Sequence, residues 1–270
     1  MLYREEGHIA KNAGDLRIAG LSKAFAGLRA LTDVSFTVGA GQLVGLIGPN
    51  GAGKTTVFNC ITGLIPPDTG TVFLGDVPIH GRRPEEVARF GVVRTFQNIR
   101  MFPKLTVFES FLAPQYLAGS HTRREGRYLE TAGVRHRRGE RRSRKQRVAV
   151  AEEMMELLSL QDVANRRSGE LGLLIQRKIE LGRALLATPR VLLLDEPSAG
   201  ATAKEARELK AIVETLPQAR ISILIVEHNI PFIMDLATEI VALDFGRVIA
   251  IGSPDAIRND PQVRAVYLGT

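Results

Sequence analysis

The chain has 270 residues, of which 44% are hydrophobic and 24% charged, with a formal net charge of +7. The apolar content supports a packed α/β core, and no stretch approaches the roughly 18 uninterrupted apolar residues of a membrane-spanning helix. The N-terminus has no apolar run typical of a signal peptide, and a single cysteine, Cys60, excludes an internal disulfide and offers no metal or redox spacing. These features predict a soluble, intracellular protein.

Apolar runs alternate with amphipathic segments along the chain, which predicts a mostly parallel sheet with helices on both faces. The first buried strand leads into a glycine-rich stretch and then a helix, which ends near Gly63. Later strands are short and continuously apolar, as central parallel strands are. The predicted strands lie at residues 43–47, 71–74, 191–194 and 221–226, with a terminal hairpin at 240–251.

The middle of the chain, residues 98–182, is rich in helix formers and charges and contains no convincing buried strand. We interpret it as a helical subdomain inserted into an α/β core made of residues 15–97 and 183–270. Within it, residues 121–147 carry eleven Lys or Arg and three Glu, a local net charge of +8. This basic insert is interpreted first as a solvated helical hairpin, with contact to anionic lipid or RNA as the alternatives.

The strongest functional signal is a glycine-rich stretch at residues 48–55 that fits G-x-x-x-x-G-K-[ST]. Such glycines let backbone N–H groups surround phosphate oxygens, and the following helix points its positive end at them. Lys54 would reach the β- and γ-phosphates, and the Thr55 hydroxyl would bind magnesium. A strand before and a helix after supply the required context. The predicted phosphate loop comprises Gly48, Pro49, Asn50, Gly51, Ala52, Gly53, Lys54, Thr55 and Thr56.

Polar residues follow further predicted strands. Asp195 ends an apolar strand, where it can hold magnesium, and Glu196 beside it can polarise an attacking water. His228 follows the next strand and could contact the γ-phosphate, although a lone histidine is more often structural. Gln97 lies where the core gives way to the helical insertion. The Asp-Phe-Gly of residues 244–246 spells a kinase magnesium motif, but without a His-Arg-Asp loop before it we predict a hairpin turn.

Together these residues resemble the ATP-binding cassette (ABC) ATPases over nearly the whole chain, in the family's order and at its approximate spacings. The resemblance implies one ABC ATPase domain over residues 1–270, of the α/β class. It implies a P-loop NTPase core, an inserted helical subdomain and a β-rich N-terminal part. Within the family, the chain is most similar to the ATP-binding subunits of branched-chain amino-acid importers. The segments that carry this likeness are residues 27–31, 94–100, 226–229, 260–263 and 267–269.

The resemblance also implies a role for each candidate residue, in a site for ATP and Mg²⁺. Phe25 matches the aromatic residue that stacks on adenine, and Lys54 and the rest of the phosphate loop hold the triphosphate. Glu196 orients or deprotonates water, and His228 senses the γ-phosphate. Binding of ATP closes a dimer, and hydrolysis reopens it. The residues that gather around magnesium are Thr55, Gln97 and Asp195.

As a member of such a system, the chain is expected on the cytoplasmic face of the bacterial plasma (inner) membrane, as a peripheral subunit. Its implied partners are membrane-spanning permease subunits, a second ATPase subunit of the same or a different sequence, and indirectly a periplasmic or extracellular solute-binding protein. No nucleic-acid partner is expected. The specificity for the transported solute resides in other polypeptides. Branched-chain amino acids, amides, urea and aromatic acids therefore all remain possible substrates.

Two segments depart from the family pattern. The signature, L-S-G-G-Q or a near variant, is replaced by Leu-Gly-Leu-Leu-Ile-Gln at residues 171–176. The loop after the catalytic glutamate usually ends in Asp or Asn, whereas Thr202 stands there in this chain. Both elements normally act across the dimer, so these departures concern the nucleotide held by the partner.

Two other functions remain as alternatives. A soluble ABC ATPase acting in DNA repair, translation or cofactor assembly usually carries a long coiled-coil insert or a second ATPase domain, and neither fits in 270 residues. A subunit that holds ATP without hydrolysing it is favoured by the altered signature and disfavoured by Glu196 and His228.

Overall fold

The structure of the chain is a computed structural model that describes residues 15–96, 101–118 and 143–268. The strands, in chain order, are β1 (Leu16–Phe25), β2 (Leu28–Val38), β3 (Leu43–Ile47), β4 (Thr69–Leu74), β5 (Val77–Pro78), β6 (Val92–Arg94), β7 (Val191–Asp195), β8 (Ser222–Val226), β9 (Glu239–Asp244) and β10 (Arg247–Gly252). The α-helices are α1 (Lys54–Ile61), α2 (Pro84–Arg89), α3 (Val107–Ala118), α4 (Arg144–Leu157), α5 (Leu173–Leu186), α6 (Ala203–Thr215), α7 (Ile230–Leu236), α8 (Pro254–Asn259) and α9 (Pro261–Leu268). Short 3₁₀ turns occupy Gln161–Val163, Ser168–Glu170 and Pro217–Ala219.

The first sheet contains four strands in the order β2-β1-β4-β5 and is antiparallel throughout. Its central strand, β1, pairs Leu16 with Val38 of β2 and with Leu74 of β4. This sheet is the β-rich N-terminal part that the resemblance implies, so that expectation is confirmed.

The second sheet contains six strands in the order β10-β9-β3-β8-β7-β6. All neighbouring pairs are parallel except β9 with β10, which form the predicted terminal hairpin. Every residue of β3, β7 and β8 is buried, as their unbroken apolar runs indicate. Because β3, β8, β7 and β6 are parallel neighbours, their carboxyl ends meet at one edge of the sheet, where α/β folds place ligands.

Strand β3 is buried on both faces by two different hydrophobic clusters. Leu43 and Ile47 pack in the cluster shared with the helical part, whereas Val44 and Leu46 pack in the cluster between the two sheets. This alternation follows from the two-residue repeat of a strand. Packing on both faces therefore holds β3, the strand that leads into the phosphate loop, in place.

The regular structure of the described middle segment is helical, as predicted, and residues 101–118 and 143–182 contain only an isolated bridge between Thr106 and Arg167 instead of a strand. Gly182 allows α5 to pack closely here, since a Cβ would lie 2.9 Å from the Phe111 ring and 2.6 Å from Leu158. The predicted boundary at residue 182 falls inside α5, so the division into subdomains stays a prediction. Most of the predicted basic insert, residues 121–142, lies outside the described residues. Among the described helices, none is long and apolar enough to cross a membrane.

Candidate nucleotide site

The phosphate loop connects β3 to α1, as the sequence predicts. Gly53 has a φ of 103°, and a Cβ there would lie 2.7 Å from the carbonyl oxygen of Ala30, so only glycine fits without strain. Lys54 is buried, and its ammonium group donates to the carbonyl oxygens of Gly48 at 2.7 Å and Pro49 at 3.0 Å. Burial lowers the pKa of Lys54, and the nearby carboxylates of Glu196 and Asp195 partly offset that shift. The loop thus contains a desolvated cation suited to an anionic ligand.

The β9–β10 turn supports the phosphate loop from behind. Phe245 and Gly246 have φ values of 41° and 74°, the left-handed pair of a two-residue hairpin turn. The amide of Gly246 donates to the carbonyl of Ala52 at 3.0 Å, and the carbonyl of Gly246 accepts from Thr32 at 2.8 Å. The Asp-Phe-Gly tripeptide is therefore a structural turn, as predicted, and it holds the phosphate loop against the first sheet.

Asp195, the last residue of β7, is paired with a cation that sequence reasoning missed. Arg94, at the end of β6, donates from Nη2 to Asp195 Oδ2 at 2.6 Å and from Nη1 to Asn59 Oδ1 at 2.7 Å. Both charged side chains are less than a tenth exposed, at 7% and 8%. The parallel pairing of β6 with β7 brings them together. Charge-assisted hydrogen bonds of this kind fix the orientation of a carboxylate.

Glu196 and His228 lie side by side on neighbouring strand ends. Glu196 Oε1 is 3.1 Å from His228 Nε2, and the amide of Glu196 donates to the carbonyl of Val226 at 2.9 Å. Glu196 has a φ of 49°, a left-handed conformation that costs a non-glycine residue free energy and is concentrated at functional sites. His228 is 44% exposed, so its ring remains accessible from solvent.

Phe25 ends β1 and is 42% exposed, as a ring that stacks on a ligand has to be. Asp68 holds this end of the strand, because it accepts from Lys23 Nζ at 2.6 Å and from the amide of Ala24 at 2.7 Å. The Lys23 ammonium lies 5.7 Å from the centre of the Phe25 ring. The role of Phe25 toward adenine stays a prediction.

The two segments that depart from the family pattern meet in space, and we call residues 171–176 and 198–202 the signature face. Gly172 caps α5 with extended backbone and has open space around its Cβ position, while Leu173 is 42% exposed. The Leu173 side chain lies against Gly200, and Arg177 donates from Nη2 to the carbonyl of Ala199 at 3.1 Å. The helix starts at residue 173, three residues earlier than the sequence indicates, so the altered residues belong to its first turn.

The structure thus brings the phosphate loop, Asp195, Glu196 and His228 to one edge of the second sheet, as the sequence predicts. Gln97, which the sequence also predicts at this site, lies outside the described residues. Sequence reasoning missed Arg94 and also Glu227, a buried carboxylate that accepts the amide of Ser198 at 2.6 Å. The signal for Arg94 was its place three residues before Gln97, and the signal for Glu227 was a charge directly after an apolar strand.

Known proteins match this chain along most of its length. The family model for the ABC transporter matches residues 31–199, and a model for the branched-chain amino acid ATP-binding cassette transporter matches residues 247–270. The high-affinity branched-chain amino acid transport ATP-binding protein BraF of Pseudomonas aeruginosa is 39% identical over 258 residues, 94% of this chain and 97% of that protein. LivG of Escherichia coli, with the same description, is 37% identical over the same shares.

A more distant relative and a solved structure indicate the same family. The lipopolysaccharide export system ATP-binding protein LptB of Escherichia coli is 32% identical over 94% of this chain and 97% of its own. A crystal structure of a nucleotide-free ATP-binding cassette from an ABC transporter superposes with a TM-score of 0.78 at 30% identity, covering 94% of this chain and 99% of that one. The chain therefore belongs to the ABC transporter family, as an ATP-binding and ATP-hydrolysing subunit.

Proposed function

We propose that the chain is the ATP-hydrolysing subunit of an importer for branched-chain amino acids or related small polar solutes. The names of BraF and LivG and the match of residues 247–270 to the branched-chain family model support this assignment. The export protein LptB is less similar, at 32% identity. A soluble, non-transport role is not favoured by these relatives.

In the proposed mechanism, the phosphate loop binds the triphosphate of ATP. The ammonium group of Lys54 exchanges its bonds to the Gly48 and Pro49 carbonyls for bonds to phosphate oxygens. An anionic ligand would also offset the burial that lowers the pKa of Lys54. Phe25 stacks on adenine, and its partly exposed ring is available for that contact.

The residues present fit a magnesium ion, because they offer the oxygen ligands that this cation prefers. We assign the Thr55 hydroxyl, which is on an exposed residue at the start of α1, together with Asp195 and Gln97. Bound magnesium would neutralise charge on the phosphates during transfer. Arg94 holds Oδ2 of Asp195 and so directs the other carboxylate oxygen, which is the one we assign to the metal.

Glu196 is proposed to orient or deprotonate the attacking water, with His228 as its partner at the γ-phosphate. The single observation that carries the hydrolytic role is the 3.1 Å contact between these two side chains at the edge that holds the phosphate loop. A second polar group within hydrogen-bond reach holds a carboxylate in one orientation, and the carboxylate can then accept a proton from water.

We further propose that the subunit works as half of a cassette dimer docked on membrane-spanning permease subunits, at the cytoplasmic face of the membrane. A periplasmic or extracellular binding protein would deliver the solute. BraF and LivG are described as transport ATP-binding proteins, which supports these partners.

The test is uptake by the whole transporter. The chain, co-expressed with permease subunits and a partner cassette, would be placed in proteoliposomes with ATP inside and the solute-binding protein outside. Radiolabelled leucine uptake should require ATP and should be lost with Lys54→Ala, while glutamine and urea uptake serve as solute controls. ATP-dependent uptake of another solute, with none of leucine, isoleucine or valine, would contradict the substrate assignment and leave the ATPase assignment intact.

A further inference from the structure

Glu227, the residue between β8 and His228, is a charged side chain that the proposed mechanism does not use. It is 3% exposed. One carboxylate oxygen, Oε1, accepts the amide of Ser198 at 2.6 Å. The other, Oε2, accepts the amides of His228 at 3.2 Å and Asn229 at 3.3 Å. One buried carboxylate therefore binds two loops that are 29 residues apart in sequence.

Those two loops contain the hydrolysis residues and part of the signature face. Strands β7 and β8 are parallel neighbours with Asp195 opposite Val226, so Glu196 and Glu227 each follow directly after a paired position. The side chains of Glu196 and His228 meet on one side of this junction. Glu227 joins the same two chain segments a second time, through backbone amides, at Ser198 and at His228 itself.

The loop held by Glu227, residues 197–202, also contacts the altered signature helix. Ala199 accepts from Arg177, and Gly200 lies against Leu173. A displacement of the N-terminal end of α5 would therefore reach Ser198 within one or two residues of these contacts. The carboxylate of Glu227 connects Ser198 directly to the amide of His228, with one oxygen bonded on each side.

A buried carboxylate is expensive to desolvate, and its three charge-assisted hydrogen bonds offset that cost. An apolar residue at this position would avoid the cost but could not bind both loops. The retained charge thus specifies one relative arrangement of the two loops. Buried polar groups can specify a conformation in this way even where the stability of the fold does not require them.

We propose that Glu227 is a positioning residue that makes the 197–202 loop and His228 move as one unit, so that the position of the N-terminal end of α5 sets the geometry of the Glu196–His228 pair. The proposal rests on the proposed function for the catalytic roles of Glu196 and His228. It predicts that loosening Glu227 slows hydrolysis through His228 without weakening the binding of ATP.

The test compares the full chain with Glu227→Gln, which keeps the shape and replaces one acceptor oxygen by an NH₂ group. Amide hydrogen exchange in residues 197–202 should accelerate about tenfold, although no residue there is changed, while exchange in α1 stays the same. Single-turnover hydrolysis, with the chain in excess over labelled ATP, should slow by about tenfold, and the Kd for ATP should stay within about twofold. Glu214→Gln, the same chemical change on the exposed side of α6, is the matched control.

A double-mutant cycle separates positioning from general damage. In a His228→Ala background, Glu227→Gln should lower the residual rate by less than about twofold, because the residue through which it acts is gone. Glu227→Asp keeps the charge but withdraws it from Ser198 and should give an intermediate exchange rate; it replaces Glu227→Gln if that variant fails to fold.

Unchanged exchange in residues 197–202, a parallel loss of ATP affinity, or a full and additive effect in the His228→Ala background would each overturn the proposal. Failure of the proposed function would give a different experimental result. If Glu196→Gln and wild type hydrolyse ATP equally, the catalytic assignment is wrong, and the exchange measurement still decides whether Glu227 couples the two loops.

Discussion

The two sides of this cassette differ in chemistry. The nucleotide side, at the carboxyl ends of β3, β6, β7 and β8, contains charged and polar side chains in contact: Lys54 near two carboxylates, Arg94 bonded to Asp195, and Glu196 against His228. The signature face instead presents Leu173, Leu174 and Ile175 beside a loop made of Ser, Ala, Gly, Ala and Thr.

We propose from this difference that the subunit keeps the residues that hold and cleave its own nucleotide but lacks part of what a regular signature would offer to a partner's nucleotide. The nucleotide side is constrained by the buried Arg94–Asp195 pair, and removing one member of such a pair typically costs about 3–5 kcal/mol. At the start of α5, Leu173 is exposed and Gly172 has open space at its Cβ position, so changes at these two residues cost the isolated fold little. We therefore expect the two composite sites of a dimer to be unequal.

The largest effect is expected at the hydrolysis pair. Glu196→Gln keeps the shape of the side chain but removes the charge that activates water, so hydrolysis should fall by about 10²–10⁴-fold. ATP should still bind, and closed dimers should accumulate with the partner cassette. The measurements are steady-state ATPase rates and size-exclusion chromatography with ATP.

Lys54→Ala provides the contrast, because it should weaken nucleotide binding itself rather than hydrolysis alone. A Glu196→Gln variant that hydrolyses ATP at the wild-type rate would show that the base lies elsewhere, and the nucleotide side would then not be complete.

The second effect concerns the signature face. Gly172→Ser combined with Leu174→Gly restores a hydroxyl and a close backbone approach, so ATPase activity of the chain alone should rise by about ten- to a hundredfold. The structure has room for the serine, since no atom lies within 4 Å of the Cβ position of Gly172. Mixing the wild-type chain with a partner cassette that has a regular signature should raise the rate of the site built on this chain's phosphate loop.

Leu157→Gly, which removes another partly exposed leucine from a helix, controls for simple helix weakening. If the wild-type chain alone already matches the repaired one, the two sides are functionally equal despite their different chemistry.

A smaller effect is expected at the adenine end of the nucleotide side. Asp68→Asn weakens the bonds that hold Lys23 and Ala24 just before Phe25, so the Kd for ATP should rise about two- to fivefold. Hydrogen bonds from Lys23 and Ala24 lower the pKa of Asp68. The contacts of the ionised carboxylate therefore persist through the ordinary range of carboxyl pKa values and are lost only as pH falls through the lowered pKa. Wild-type affinity should therefore not change through Asp68 between about pH 6 and 8. Asp255→Asn, at an exposed carboxylate on α8, should leave Kd unchanged.

The smallest effect on activity is expected at Cys60, which tests the rigidity of the nucleotide side. Burial raises the pKa of its thiol to about 11, so at pH 8 only about one thiol in a thousand is ionised. A thiol reagent should leave native Cys60 unmodified and ATPase activity intact. Leu173→Cys in a Cys60→Ala background should react at least about a hundredfold faster, and ATP with a partner cassette should protect it. Rapid modification of native Cys60 would show that α1 opens, contrary to the rigid site described above.

The parts of this site that sequence reasoning found are those that a local pattern encodes. Residues 48–55 combine turn glycines with a strand and a helix over a few positions, and the strand ending in Asp195 is an unbroken apolar run. Arg94 and Glu227 were missed because their roles depend on which strands are neighbours in the sheet. Strand β6 has only three residues, too few to show a period, yet it brings Arg94 to Asp195 across 101 positions. The contact between Leu173 and Gly200 is likewise a tertiary one that neither segment predicts alone.

The turn behind the phosphate loop has a consequence for how the protein is made. Strand β3 lies between β8 and β9, and the amide of Gly246 reaches back to Ala52 across almost 200 residues. Pairings that are so distant in sequence form late and slowly. On the ribosome, the phosphate-loop sequence emerges long before the strands that flank it, so the nascent chain has no completed nucleotide site until residues near 246 have left the exit tunnel. ATP can stabilise this subunit only after residues near 246 have emerged and paired.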